Sequence, residues 1–322
     1  MISRYRFLLL EQARSPLIAP ALMARIEEGF KRISSERPLS REALARLRNL
    51  LTIEYVYNTN AIEGNTLTLR ETRLVLEEGI TVAGKPLRDH LEARNHLQAL
   101  RYVEDLSRAE RVEEFDLLKL HHLVMMGIWE ARPGEYRREQ VFIGGSGHVP
   151  PPPSEVPGLM MRFVDWLNGA VNSDELHPIE LAAVAHAYLT AIHPFTDGNG
   201  RVARLLMNLL LLRRGYPLAI IRKERRRAYY MALEEADRGR ARPITNLVAR
   251  AVDESLTLYL GSLEGMVPLS TAAKELGMSV DYLGQLARKG YLKAVKLAGR
   301  WYIPEDEVGR LRSRAVRRSR ER

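Results

Sequence analysis

His193-Pro194-Phe195-Thr196-Asp197-Gly198-Asn199-Gly200-Arg201-Val202-Ala203-Arg204 is the stretch on which the reading of this chain turns. Beyond Gly200, the residues Val202, Leu205, Leu206, Leu209 and Leu210 recur at helical spacing. The glycine turn therefore marks a helix start, where free N–H groups and the positive end of the dipole face outward. Gly198 and Gly200 can take φ > 0 and let backbone N–H groups converge on an anion, and Asn199 adds a side-chain amide donor. Arg201 and Arg204 fall in the first turn on one face. Cations there oppose the helix dipole, and a polyanion such as a triphosphate would offset that repulsion. On the other side, Glu175-Leu176-His177-Pro178 opens an apolar run through Ala182, Ala185, Ala187, Leu189 and Ile192, which predicts a long helix delivering His193. Pro194 cannot continue that helix, so the imidazole is expected at its C-terminus, where a protonated ring is favoured and a base is helped to accept a proton. Asp197 is a candidate helix cap and, compatibly, a candidate Mg²⁺ ligand, since Mg²⁺ takes one or two carboxylates plus phosphate oxygens. His90, His96, His177 and His186 read as packing and hydrogen-bonding side chains.

The chain has 322 residues, 46% of them hydrophobic, enough for one large or two modest globular domains. Cysteine is absent, which excludes disulfides, thiolate metal sites and a cysteine nucleophile. The apolar run near the N-terminus, Phe7 to Leu10, is too short for a signal peptide and runs into Glu11 and Arg14, and no later stretch approaches a membrane span. A cytoplasmic protein with no membrane association is the expectation. The net charge of +9 is largely arginine and is concentrated at the C-terminus.

Upstream, helical periodicity from Pro20 breaks at Ser34-Ser35-Glu36-Arg37-Pro38, with Ser40 as the expected N-cap of the next helix. That helix carries Leu44, Leu47, Leu50, Leu51, Ile53, Tyr55 and Val56, with Gly64 and Asn65 as stop signals. It places Thr59 and Glu63 one turn apart on one face. After a helix through Phe115 and Met125 comes the first conspicuously non-helical stretch, Arg132 to Pro153. Within it Val141-Phe142-Ile143-Gly144-Gly145 and the later Val149 read as a short β-hairpin flap with a rigid proline exit.

The segment 193–204 resembles the signature His-Pro-Phe-x-[Asp/Glu]-Gly-Asn-Gly-Arg-x-x-Arg of the Fic domain proteins at every defined position. The resemblance implies a mainly α, Fic-type helical core with a flap, transferring AMP from ATP to a Ser, Thr or Tyr hydroxyl of a target protein with Mg²⁺ and releasing pyrophosphate. It further implies His193 as the general base and Asp197 as the Mg²⁺ ligand. Asn199 with the Gly198 and Gly200 backbone would form the phosphate cradle, and Arg201 and Arg204 would bind polyphosphate, Arg204 towards the γ end. Phe195 would be a buried anchor. The flap Val141, Phe142, Ile143 and Gly144 would hold the target segment by main-chain pairing. Tyr229 and Tyr230 would line the adenine side or serve the core. Thr59-Asn60-Ala61-Ile62-Glu63-Gly64 resembles the family's inhibitory pattern [Ser/Thr]-x-x-x-Glu-[Gly/Asn], implying that Glu63 pairs with Arg204 and silences the enzyme.

Three regions are expected: an N-terminal helical region with the inhibitory helix over 1–110, the catalytic core over 111–263, and a small domain over 264–322. In the last, two short helices span Val267 to Ser279 and Val280 to Gly290. A two-strand wing at Leu292 to Lys296 and Arg300 to Pro304 completes a winged helix-turn-helix pattern, similar to excisionase and MerR-like domains. The basic tail, Arg310 to Arg322, would add phosphate contacts to DNA. The alternative to a transferase is a DNA-binding regulator with the core as nucleotide sensor, or an enzyme that removes AMP. Whether a homodimer forms is left open.

Overall fold

The structure is a computed structural model that describes residues 4–35, 41–128, 132–144, 146–263, 265–289, 291–292, 294–297, 300–305 and 307–312. Ser40, Gly145 and the tail arginines beyond 312 lie outside the described residues. The helices are α1 (Pro20–Ser35), α2 (Arg41–Ile62), α3 (Leu69–Glu77), α4 (Leu87–Leu106), α5 (Glu114–Met125), α6 (Val156–Val171), α7 (Pro178–Ile192), α8 (Asn199–Arg213), α9 (Arg226–Asp237), α10 (Arg242–Leu263), α11 (Leu269–Leu276) and α12 (Val280–Arg288). The strands are β1 (Met266–Pro268), β2 (Val295–Leu297) and β3 (Arg300–Pro304). No helix among the described residues is long and apolar enough to cross a membrane.

The chain forms two compact units, one from 1–24 with 49–252 and one from 25–48 with 253–322. Position 110 is not a break between them, because α4 packs on α5 and α8 and brings the expected N-terminal region into the same unit as the core.

The first unit is built around α7 and α8. Of the residues in α7 from Ile179 on, all but Thr190 are buried. Such all-round burial needs apolar residues on every face, and the run of alanine, leucine and isoleucine supplies them. Its start is defined by Pro178 and by a cap in which His177 accepts the Ile179 N–H while Glu180 accepts the His177 N–H. His177 is thus a structural cap, as expected of it. Glu180 also accepts the Leu17 and Ile18 N–H groups at 2.6 and 3.0 Å, pinning the N-terminal segment to α7. α8 packs along α7, with α4 and α5 on α8 and with α6 and α9 on α7.

In the second unit, α11 and α12 are joined across Gly277, whose φ of 64° takes the left-handed turn. Strands β2 and β3 pair antiparallel, and β1 adds a third strand, in the order β1-β3-β2. The sequence reading missed β1 because three residues ending in a proline carry almost no strand signal. Leu269, Ala272, Leu283, Leu292 and Ile303 form the core.

Candidate active site

The connection 193–198 between α7 and α8 carries the site. His193 caps α7 in the left-handed region, φ 52° and ψ 58°, a conformation uncommon for a residue with a side chain. Gly198 closes the connection at φ 82°, and a Cβ there would stand 2.9 Å from Met125 Sδ, so only glycine fits. Asn199 is buried, with Oδ1 accepting the Phe195 N–H at 2.9 Å and Nδ2 donating to the Phe195 carbonyl at 2.8 Å. The amide oxygen and one of its two N–H groups thus hold the loop shut. Phe195 is fully buried, as expected, and stacks on His121 with ring centroids 3.8 Å apart. Asn199→Ala would strand a buried N–H and a buried carbonyl. It is expected to destabilise the chain by roughly 1–3 kcal/mol, read as a lower midpoint in urea.

Asp197 does not cap α8. Its Oδ1 accepts the Gly198 N–H at 2.5 Å and lies 3.2 Å from Arg201 Nη2, while Oδ2 accepts from Arg88 Nη2 at 2.9 Å. Burial alone would raise this carboxyl, but Arg201, the Gly198 N–H and Arg88 outweigh it and hold it below its ordinary value. Arg201 and Arg204 are each 1% exposed. Arg201 Nη1 lies 3.1 Å from Glu92 Oε1 but off the line of a hydrogen bond, so its Nε and Nη1 donors find no hydrogen-bond acceptor among the described residues.

Arg204 is gripped by the end of α2. Its Nε donates to Thr59 Oγ1 at 2.7 Å, and Nη2 donates to the Thr59 carbonyl at 3.0 Å and to Glu63 Oε1 at 2.6 Å. Nη1 reaches the Tyr229 hydroxyl at 3.2 Å. The same Glu63 oxygen lies over the first turn of α8: a Cβ built on Gly200 would stand only 2.5 Å from it. The repulsion expected of arginines at a helix N-terminus is therefore met here by carboxylates of the chain itself, Glu63, Glu92 and Asp197.

His193 Nδ1 faces the Thr190 carbonyl at 3.3 Å, which assigns the proton to Nδ1 and leaves Nε2 as the acceptor. The pull of the helix C-terminus towards the charged ring is outweighed here. Burial pushes the imidazole down to about 4, more than the Thr190 carbonyl raises it, so the ring is neutral at pH 7 and ready to take a proton. Burial likewise lowers His121 to about 4 and His186 to about 3. In the unfolded chain these rings protonate as pH falls through about 6.5, whereas the folded chain resists until about 4. The unfolded state thus binds more protons in that window, and their contribution to stability is complete above about 6.5 and declines towards 4. Calorimetry should show a lower Tm at pH 5 than at pH 7.5; a flat or rising Tm would contradict the neutral buried rings.

A cavity of about 380 Å³ opens beside His193 and Arg204, lined also by Glu63, Gly200, Arg226, Tyr229 and Tyr230, by Leu233, Glu234 and Asp237 of α9, and by Ile143, Gly144 and Ser146 of the flap. Tyr229 is 1% exposed and bonded to His186 and Arg204, a core role, while Tyr230 is less buried and stacks under Arg226. The segment read as a flap borders the cavity through Ile143, Gly144 and Ser146, but no hairpin forms: residues 141–144 and 146–149 pair with no strand. The carbonyls on its return side are taken by side chains instead, Pro150 by Gln140 and Pro151 by Arg137, and the prolines have no N–H to offer a ladder. Phe142 is left 78% exposed.

Three residues that position the site escaped the sequence reading. Arg137 donates through Nε to the His193 carbonyl at 2.8 Å and ties the flap segment to the loop. His121 bonds the Asp197 carbonyl through Nε2 at 3.0 Å and accepts the Gly134 N–H. Arg88 holds Asp197. None has a local signal, since each acts across 56 residues or more on the motif.

With an imidazole, a carboxylate and two arginines gathered around a helix N-terminus on a helical core, the chain belongs to the Fic/DOC family, whose model matches residues 111–211. Among solved structures it is similar to Fic-1 (aa134 - 508) from C. elegans, with 34% identity, a TM-score of 0.68, and coverage of 75% of this chain and 72% of that one. A Fic domain containing signaling protein from Bacteroides thetaiotaomicron matches with TM-score 0.71 and 29% identity over 80% of this chain and 98% of its own. The protein adenylyltransferase Fic of Drosophila willistoni is 43% identical over 219 residues, 68% of this chain and 43% of the relative. The chain spans about half the length of the curated relatives it matches.

Proposed function

We propose that this chain is a protein adenylyltransferase that transfers AMP from ATP to a Ser, Thr or Tyr hydroxyl of a target protein, and that the described conformation is its self-inhibited state. The observation that carries this reading is the position of Glu63 Oε1, bonded to Arg204 Nη2 at 2.6 Å while crowding the backbone at Gly200. A carboxylate there takes the place that the donors of α8 would give to a terminal phosphate oxygen. With Glu63 withdrawn, Arg204 is left to the γ-phosphate and the first-turn N–H groups to the rest of the polyphosphate. His193 Nε2 takes the proton of the target hydroxyl, whose oxygen attacks the α-phosphorus as the bond to pyrophosphate breaks. Arg201, with two unaccepted donors, adds positive charge behind the cradle.

Asp197 fits Mg²⁺ as its donor: it is a half-exposed carboxylate next to the N–H cradle, and the remaining ligands of such an ion come from phosphate and water. When bound, the ion neutralises phosphate charge. Incubation with ATP and Mg²⁺, followed by mass spectrometry of hydroxyl side chains in candidate proteins and in the chain itself, tests the reading. AMP adducts on hydroxyls support it; hydrolysis of ATP with no protein adduct in the Glu63→Gly chain counts against it.

For the second unit we propose a winged helix-turn-helix that contacts DNA, from the pairing of α11 and α12 across Gly277 beside the small sheet. A shift of random duplex DNA that weakens steeply with salt would support this, and its absence at low salt would favour a protein partner.

A further inference from the structure

The two oxygens of Asp197 have different partners. Oδ1 is held by the Gly198 N–H and by Arg201, and both are fixed: the first belongs to the closed turn, and the second is 1% exposed and also faces Glu92. Oδ2 accepts from Arg88 Nη2 at 2.9 Å. Arg88 comes from the first turn of α4, and its side chain is 47% exposed. Its Nε donates to Glu92 Oε1 at 3.0 Å, one helical turn along, so the guanidinium keeps an anchor if Nη2 leaves Asp197. Asn65, just beyond Glu63, in turn donates to Glu92 Oε2 at 2.9 Å.

We propose that Arg88 is a gate on the metal-binding oxygen of Asp197. This inference rests on the reading of Asp197 as the Mg²⁺ ligand. A divalent cation at Oδ2 and a guanidinium on the same oxygen repel each other at contact distance, so entry of the ion breaks the Nη2–Oδ2 hydrogen bond and Arg88 falls back on Glu92. Arg201 cannot move aside in the same way, because it is buried between two carboxylates. The gate is separate from the inhibitory contact: Glu63 holds Arg204 inside α8, whereas Arg88 holds the carboxylate before the first glycine. A half-exposed ion pair of this kind is weak, so it tunes metal entry by about two- to fivefold instead of forbidding it.

The test uses the full chain carrying Glu63→Gly, with and without Arg88→Gln. Calorimetric titration with adenylyl imidodiphosphate, once in EDTA and once in saturating Mg²⁺, gives the factor by which the metal tightens nucleotide binding. That factor should rise about two- to fivefold on Arg88→Gln, rise less on Arg88→Lys, and collapse on Asp197→Asn. An unchanged or smaller factor in Arg88→Gln, with Asp197→Asn still collapsing it, overturns the gate and leaves the metal ligand standing. A factor insensitive to Asp197→Asn overturns both.

Discussion

Glu63→Gly is expected to raise the rate of AMP incorporation by about 10²-fold over the wild-type chain. Arg204 is buried, and Glu63 meets it at 2.6 Å with only partial exposure, so this charge-assisted bond lies in the range where a contact contributes a few kcal/mol. A nucleotide that reaches for Arg204 has to displace that bond as well as the carboxylate crowding Gly200. Glycine removes both obstacles and leaves Thr59, which also accepts from Arg204, in place. The gain should appear as transfer of label from α-labelled ATP to protein. A variant no more active than wild type, with nucleotide binding intact, would show that Glu63 is a structural partner of Arg204 and not a brake.

His193→Ala, made in the Glu63→Gly background, should lower transfer by about 10³-fold or more, within the range usual for loss of a general base. Nucleotide affinity should change little, because the groups proposed to bind phosphate are Arg204, Arg201 and the N–H groups of α8, none of which is His193. The neutral ring sharpens the expectation. With its proton on Nδ1 facing Thr190 and burial lowering it to about 4, Nε2 is a free acceptor throughout the neutral range. Residual transfer above a few per cent, or a large fall in affinity, would mean that His193 binds phosphate and another group takes the proton.

Much of this was legible because it is local. The residues 193–204 carry their own helix boundary, glycine turn and cation pair, and the structure places all of them on one connection and one helix turn. Glu63 against Arg204, 141 residues apart, was legible only because both ends resemble patterns of one family. What the sequence could not reveal is which way a polar side chain faces. The bond between Asn199 and the Phe195 carbonyl has no sequence signal, and the flap reads as a hairpin until Arg137 and Gln140 are seen to take its carbonyls. How deeply His193 is buried is likewise not legible in the sequence: the helix C-terminus favours the charged ring, but burial is the larger effect.

On activation, Arg204 is expected to exchange Glu63 for the terminal phosphate. A crystal structure of the Glu63→Gly chain with a non-hydrolysable ATP analogue and Mg²⁺ tests it directly. A γ-phosphate oxygen should accept from Arg204 Nη2 over Gly200, in the space now held by Glu63 Oε1, with His193 Nε2 facing the α-phosphorus. A γ-phosphate lying elsewhere, with Arg204 bound to Thr59 alone, would contradict it.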